Sequence, residues 1–260
     1  MPIIFFIICF LASIVGAICG IGGGVIIKPV LDAFGVLSVS VISFLSGCTV
    51  LSMTSYSMIK SKMSKDSQVE QETTLPLAIG AAIGGVLGKW IFALLISGVS
   101  NQNKAGAVQA GCLLLVTLGT LIYTVNKDKV KTKQVTNAVA CVIIGLVLGI
   151  MSSFLGIGGG PINLVVLYFF FSMKTKQAAE NSLYIIFFSQ IASLCYSVLT
   201  RSVPEFDIWL LVLMALGGIC GGICGRALNK KIKDETVDKL FIGLMVVIIL
   251  INVYNICKFI

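Results

Sequence analysis

The five residues Gly20-Ile-Gly-Gly-Gly24 decide the fold of this chain, and the same five residues return at Gly156-Ile-Gly-Gly-Gly160. Both copies lie within apolar sequence. Because each glycine costs about 1 kcal/mol relative to alanine inside a helix, three adjacent glycines are predicted to break one. Inside a membrane, the backbone amides that such a break frees must pack against protein or line a polar cavity. We therefore interpret both copies as the tips of helical hairpins that face a ligand.

The composition is that of an integral membrane protein. Of 260 residues, 57% are hydrophobic and only 12% are charged, and the mean hydropathy is +1.04, which excludes an ordinary soluble domain. Crossing the hydrocarbon takes about 20 helical residues. Eight apolar runs cross or nearly cross it, so we predict an all-α, multi-pass protein of the cell membrane: Ile3–Ile18, Val39–Ile59, Leu75–Leu95, Ala105–Val125, Ala138–Leu155, Leu183–Leu199, Ile208–Cys224 and Leu240–Ile256.

Several function classes are disfavoured by the residues that the chain lacks. It has no histidine and no Cys-x-x-Cys, and its nine cysteines lie within or beside apolar runs. We expect no metal and no cofactor, and we interpret the cysteines as small hydrophobic residues. Without a histidine base, a metal-ligand cluster or a nucleophile placed beside a base, the chain is not predicted to be an enzyme. The net charge of +8 is interpreted as a topology signal, with no nucleic acid as a partner.

An internal repeat relates the two halves of the chain. A shift of 136 residues aligns the two glycine pentapeptides and also aligns Ser46 with Ser182. A shift of 137 aligns a second pattern, in which glycine recurs at every fourth position from Gly80 or Gly217 and a cation, Lys89 or Arg226, follows. We predict two repeats, residues 1–130 and 131–260. Glycine stripes of this kind let membrane helices pack closely, and the cations that end them are interpreted as snorkelling residues.

The topology of the glycine segments has two solutions. Residues 3–34 would span about 48 Å as one helix, which is too long for one crossing and too short for two. The segment is either one tilted, broken span or a re-entrant hairpin. If both segments are re-entrant hairpins, most cations lie on one face of the membrane, as the positive-inside rule requires. We therefore favour two inverted repeats, each with one glycine-broken hairpin and three transmembrane helices. The biased face would carry the cations within 60–65, 127–133, 174–176 and 226–239, against Lys89, Lys104, Arg201 and Lys258 on the other.

A short helix is predicted after each break, over Val25–Phe34 and over Pro161–Phe171. The free amides before these helices lie at positive helix ends and are candidate donors to a small anion. The alternative is close helix packing through glycine. We expect positive φ in both turns, so alanine in place of Gly23 or Gly159 would be strained. The candidate amides belong to Gly22, Gly23, Gly24, Gly158, Gly159 and Gly160.

Lys28 is the one cation inside a glycine hairpin. It either holds the anion directly or neutralises Asp32, which follows four residues later on the same helix face. Both interpretations stay open. Asn163 is its nearest polar counterpart in the second hairpin.

Polar residues early in the next helix of each half are further candidates, because hydroxyls and amides complete an oxyanion shell. Such groups also bond to their own helix or to a neighbouring one, so this assignment stays open too. Glu180 is a candidate for proton coupling, and an interfacial position is the alternative. The candidate ligands in these helices are Ser46, Thr49, Asn181 and Ser182.

The doubled Gly-Ile-Gly-Gly-Gly, Pro29 after its first copy and the doubled stripe ending in Lys89 or Arg226 resemble the sulfite exporter TauE/SafE family of membrane transporters. The resemblance covers nearly the whole chain. It implies transport of small anions, chiefly sulfite, sulfonates and related sulfur compounds. The second copy departs from the pattern, because Val165 stands where Pro29 stands in the first.

The expected function is that of a secondary transporter that moves a small anion by alternating access of two repeats. An anion channel is the alternative, because backbone donors along a path serve both functions. A purely structural membrane protein would not need glycine breaks at matched positions.

Overall fold

The computed structural model describes residues 2–63, 68–98 and 102–259, which exclude Lys65 of the predicted basic face. The described residues form ten α-helices and one short 3-10 turn over Lys127–Lys129, without a strand. Eight of the helices are long and apolar enough to cross a membrane. The predicted all-α, multi-pass membrane fold is confirmed. The helices are α1 (Pro2–Cys19), α2 (Gly24–Phe34), α3 (Val39–Met63), α4 (Gln71–Gly98), α5 (Gln102–Asn126), α6 (Ala138–Leu155), α7 (Pro161–Phe171), α8 (Thr175–Leu199), α9 (Ile208–Lys231) and α10 (Asp234–Phe259).

Both glycine pentapeptides break a helix, as predicted. The chain leaves α1 through Gly20, at φ 73°, and leaves α6 through Gly156, at φ 66°. Glycine takes this left-handed conformation without the clash that a Cβ would cause. Pro161 occupies the first turn of α7, where its missing N–H removes no hydrogen bond. The short helices α2 and α7 therefore begin within one residue of their predicted positions.

Each glycine stripe packs against the broken helix of the other half of the chain. The α4 stripe lies along α6, and the α9 stripe lies along α1. A Cβ on Gly84 would overlap the carbonyl oxygen of Leu146, and a Cβ on Gly221 would lie 2.7 Å from the Cβ of Ser13. Such contacts bring backbones together where lipid supplies no hydrophobic attraction between helices. The stripes are Gly80, Gly84 and Gly88 in α4 and Gly217, Gly221 and Gly225 in α9.

The contacts of the glycines also give the direction of each helix. Residue numbers rise together where α9 meets α1 and where α9 meets α3, so these three helices run in the same direction. Since α1 and α3 share a direction, α2 returns the chain to the end where α1 began, and α1 and α2 form a hairpin. The pairs are Gly217 with Phe6, Gly225 with Ile14, Gly218 with Thr49 and Gly222 with Met53.

The second hairpin, formed by α6 and α7, is built in the same way but runs in the opposite direction. Helices α4 and α6 are parallel, because Gly80 lies against Val142 and, further along both helices, Gly88 lies against Ile150. Helices α4 and α8 are parallel too, because Thr74 contacts Asn181 and, further along both helices, Gly85 lies against Ser189. Helix α3 is antiparallel to α8, since Gly47 lies against Gln190 while Ser61 bonds to Glu180. The two hairpins therefore enter from opposite ends of the molecule. The division into repeats 1–130 and 131–260 stays a prediction.

These directions sort the loops between two ends of the bundle. The basic end holds residues 60–63, 127–137, 172–174 and 230–233, and there Lys127 pairs with Asp238. The opposite end holds residues 35–38 and 200–207. At that end Lys258 donates to the carbonyl oxygen of Ala33 over 2.9 Å.

Replacing Gly221 with alanine should lower the thermal midpoint in detergent by several degrees, because the new methyl group would overlap the backbone of α1 and overpacking costs about 1–3 kcal/mol. Gly243 in α10 is the matched control, since a Cβ there meets nothing within 4 Å. Gly243→Ala should leave the midpoint unchanged or raise it, because alanine favours the helix. Equal midpoints for the two variants, measured by fluorescence-detected size exclusion, would contradict close packing through the stripe.

Candidate functional site

The two glycine tips meet inside the protein. A Cβ placed on Gly22 would lie 3.9 Å from the carbonyl oxygen of Gly158, and one on Gly24 would overlap the carbonyl oxygen of Ile157. Residues 20–24 and 156–160 are all buried. Two segments 136 residues apart in sequence are thus brought into direct contact, away from solvent.

The walls beside the tips are apolar and come from equivalent positions of α3 and α8. Val50 lies against Gly22 and Gly158, and Ile186 lies against Gly22 and Gly159. Val50 is 0% exposed and Ile186 is 1% exposed. A low-polarity wall strengthens every hydrogen bond and charge interaction made beside it, because less water competes for the same donors.

The turns leave amides unused. In the first turn, Ile21 N–H donates to Gly16 O over 3.1 Å, and Ile27 N–H donates to Gly23 O over 3.0 Å. In the second turn, Asn163 N–H donates to Gly160 O over 3.2 Å. None of the bonds described in the two turns uses the amide hydrogen of residues 22–24 or 158–160. Those amides lie where α2 and α7 begin, at the positive end of each helix dipole, and can bind an anion.

The expectation of positive φ is correct for Gly159, at 145°, and wrong for Gly23, at −67°. Gly23 already has helical geometry because it is the N-cap of α2. Glycine is needed there for a close approach instead, since a Cβ would lie 2.9 Å from Ser13 Oγ. The positive-φ residues next to the tip contact are Gly22, at 73°, and Gly158, at 69°.

Two of the predicted serines lie on the helix faces that touch the tips. Ser46 comes one turn before Val50, and Ser182 comes one turn before Ile186, so each shares a face with that wall residue. Both serines are 0% exposed, and neither hydroxyl has a hydrogen-bond partner among the described residues. A buried hydroxyl left unpaired costs about 1–3 kcal/mol, which a ligand would recover.

More unpaired hydroxyls lie in the helices around the tips than the sequence indicated. Ser13 Oγ lies beside Gly23, and Ser43 Oγ lies 2.5 Å from the Cβ position of Gly156. The repeat did not reveal them, because a shift of 136 places glycine and alanine at the matching positions. The sequence signal that could have revealed such hydroxyls is a small polar residue within one turn of a glycine break. Of the five serines in the set, only Ser152 and Ser153 carry it. The set is Ser13, Ser43, Ser152, Ser153 and Ser189, each buried with an unpaired hydroxyl.

Asn181 is not brought to the tips. Its Nδ2 donates to Gln68 O over 3.0 Å and to Gln177 O over 2.7 Å, while its Oδ1 accepts from the Thr74 hydroxyl. With donors and acceptor so occupied, Asn181 joins α8 to the beginning of α4.

Thr49 is also occupied, since its hydroxyl donates to Leu45 O over 2.9 Å and its backbone packs against Gly218. Asn163 differs. It lies in the first turn of α7, is 2% exposed, and its Oδ1 has no partner in the part of the chain that the structure describes. Within the same part, no group of three cysteine, aspartate or glutamate side chains could hold a metal ion.

Lys28 and Asp32 form a buried ion pair within α2. Lys28 Nζ lies 2.6 Å from Asp32 Oδ2, and each side chain is 3% exposed. The lysine also crosses to the other hairpin, because its Cε lies 3.3 Å from the Cβ position of Gly156. The pair therefore holds the base of the first tip beside the second.

The chain is similar to known proteins over nearly its whole length. The family model described as Sulfite exporter TauE/SafE matches residues 5–251. This chain belongs to the TauE/SafE family. A relative of this TauE/SafE protein, "Probable membrane transporter protein YunE" of Bacillus subtilis (strain 168), is 24% identical over 257 residues, covering 90% of this chain and 91% of that protein. No solved structure matches the chain. The resemblance predicted from the glycine motifs is confirmed, and the chain is a multi-pass membrane transporter of this family.

Lys28→Gln should lower the thermal stability of the protein, because it leaves the buried Asp32 carboxylate unpaired, and breaking a buried pair costs about 3–5 kcal/mol. The double variant Lys28→Gln with Asp32→Asn removes both charges and should recover most of the lost midpoint. The measurement is thermal denaturation of purified protein in detergent. A double variant no more stable than Lys28→Gln would show that the pair does not stabilise the hairpin.

Proposed function

We propose that this TauE/SafE protein carries a small sulfur oxyanion, such as sulfite or a sulfonate, and binds it between the two glycine tips. The observation that carries the proposal is the contact of the two tips beside Val50 and Ile186, whose helices carry a buried, unpaired hydroxyl one turn earlier, Ser46 and Ser182. Each tip contributes amides at the beginning of a helix, and the serines contribute O–H donors from either side.

The chemistry of the donors suits an oxyanion. Sulfite and sulfonate groups present three oxygens that only accept hydrogen bonds, and the proposed site consists mainly of N–H and O–H donors. Neutral donors bind an anion without trapping it, because they exert less attraction than a full positive charge, and a carrier must also release its substrate. The nearest cation, Lys28, already pairs with Asp32.

The proposed ligands are the glycine amides, the two serines and Asn163. Thr49, Asn181 and Lys28 support the site instead, because their polar groups are engaged in helix contacts or in the ion pair. The proposed set is Gly22, Gly23, Gly24, Ser46, Gly158, Gly159, Gly160, Asn163 and Ser182.

We further propose alternating access about the tips. The hairpins run in opposite directions, so opening one side and closing the other is a rocking of similar parts. A cavity of about 320 Å³ at the basic end reaches Ala17, Ala179 and Leu183, and Ala179 contacts Gly20 of the first tip. The basic end is assigned to the cytoplasm because positively charged loops stay on that side.

Transport into proteoliposomes tests this function. Labelled sulfite, sulfoacetate, thiosulfate and sulfate are offered to the purified protein, with protein-free liposomes as the control. We expect uptake of at least one sulfur oxyanion, accelerated by the same unlabelled anion on the far side. Uptake without acceleration would favour the channel and overturn alternating access. No uptake of any of the four would overturn the substrate class.

Ser46→Ala and Ser182→Ala should separate binding from stability. Each change removes an unpaired buried hydroxyl, so the thermal midpoint should stay equal or rise. Half-saturation for sulfite should rise about tenfold or more, because a hydrogen bond to a charged group contributes about 1.5–3 kcal/mol. Ser55→Ala is the matched control, since that hydroxyl donates to Leu51 O of its own helix. Unchanged half-saturation in both variants would place the anion elsewhere.

A further inference from the structure

The cavity at the basic end contains an incompletely bonded arginine. Arg226 Nη1 donates to Ser57 O over 3.0 Å, and Nη2 lies 3.5 Å from Glu180 Oε1, an ion pair too long for a good hydrogen bond. The Nε atom is buried and has no partner among the described residues. A guanidinium offers five N–H donors in a planar fork, and the described contacts use only part of that fork.

The Glu180 carboxylate does not depend on Arg226. Its Oε2 accepts from the backbone N–H of Gln68 over 3.0 Å, and its Oε1 accepts from the Ser61 hydroxyl. These bonds tie α8 to the end of α3 and would persist if the guanidinium turned away. The weak contact with Glu180 is therefore one that another anion can replace.

The remaining lining of the cavity also attracts anions. Among the described residues, Lys176 and Lys230 line it with Arg226, so three cations face one carboxylate. Ser57 lines it too, and its hydroxyl is buried and unpaired within the described part of the chain. Donors thus outnumber acceptors, whereas a structural ion-pair network would balance them.

We infer that Arg226 forms a second anion site, a vestibule on the basic side of the glycine tips, where an incoming oxyanion takes the place of Glu180 on the guanidinium. The inference rests on the proposed function, because it assumes that the anion passes on to the tips. The floor of the cavity, Ala179, contacts Gly20. An anion bound at Arg226 is thus next to the first hairpin.

This role differs from the snorkelling assigned to Arg226 from its place at the end of a glycine stripe. Because the α9 stripe packs against α1, the arginine enters the space between Ser57 of α3 and Glu180 of α8. Lys89, at the matching position of the α4 stripe, lies 5.5 Å from the centre of the Phe92 ring instead. Of the two cations that end the stripes, only Arg226 therefore meets a carboxylate among the described residues.

A thiol placed in the cavity reports on the site without needing transport. Leu183→Cys places it at the inner wall and Gln68→Cys places it at the mouth, and the parent protein gives the background from its native cysteines. The rate of modification is measured with an anionic, a cationic and a neutral methanethiosulfonate reagent. We expect the anionic reagent to react faster at both positions, relative to a free thiol in solution.

Arg226→Gln should lower this preference for the anionic reagent about tenfold, since it removes a charge from the lining of the cavity that holds the thiol. Lys89→Gln removes the same charge outside the cavity and should leave the preference unchanged. Equal effects of the two substitutions would overturn the inference, because the bias would then come from the net charge of the protein.

Sulfate, the probe anion, should slow modification by the neutral reagent severalfold against potassium chloride of equal ionic strength. Sulfate replaces sulfite here because sulfite cleaves disulfides. Arg226→Gln should abolish the protection, whereas Arg226→Lys should keep the reagent preference but weaken the protection, because lysine lacks the fork. Protection that persists in Arg226→Gln would overturn the site.

An anionic lipid headgroup offers the same chemistry, so the liposome composition is varied. In phosphatidylcholine alone, sulfate should protect, and added phosphatidylglycerol should not. Protection by the lipid without protection by sulfate would assign the cavity to a headgroup and overturn the inference. Absence of protection with normal sulfite transport would refute the vestibule but not the tips. Protection with transport unaffected by Ser46→Ala and Ser182→Ala would refute the tips but not the vestibule.

Discussion

A backbone amide that leaves a helix within a membrane must find a partner, and the architecture of this protein follows from how it meets that constraint. The breaks at residues 20–24 and 156–160 free amides from two helices at once. Instead of exposing them to lipid, the fold buries both turns against each other and against Val50 and Ile186. The interior that results is small, apolar at its walls and rich in donors. Such an interior supports the anion site proposed above.

Each glycine stripe holds in place the hairpin of the other half of the chain. The stripe of α4 supports the second hairpin through α6, and the stripe of α9 supports the first through α1. Neither hairpin is held mainly by its own half, so displacement of one half displaces the hairpin of the other. The proposed rocking motion would therefore move both hairpins, because backbone contacts through glycine leave no flexible side chain to absorb the movement.

The two halves are nevertheless chemically unlike. The buried pair Lys28 and Asp32 has Leu164 and Tyr168 at the positions that a shift of 136 would match. The contact between Arg226 and Glu180 has no ion pair matching it at Lys89 among the described residues. The fixed charges on the two sides of the tips therefore differ. In the proposed transport cycle, an anion that approaches from the basic end would meet Arg226 first, and this asymmetry would give the two faces unequal affinities.

The sequence by itself determined the membrane class, the helix breaks, the beginnings of α2 and α7 and the family, because hydropathy and runs of glycine act over a few residues. It also offered Ser46 and Ser182 as candidate ligands, since their equivalence is visible as a shift of 136, and that assignment stays a prediction. Only the tertiary structure decided which polar groups are free. Thr49 and Asn181 lie within one turn of these serines, but Thr49 donates to Leu45 O of its own helix and Asn181 bonds to Thr74 of α4. Ser13 and Ser43 carry no pattern and become relevant because distant helices bring them to the tips. Arg226 ends a stripe as Lys89 does, but only the fold places it between Ser57 and Glu180, because a side chain's partners depend on contacts that local sequence does not encode.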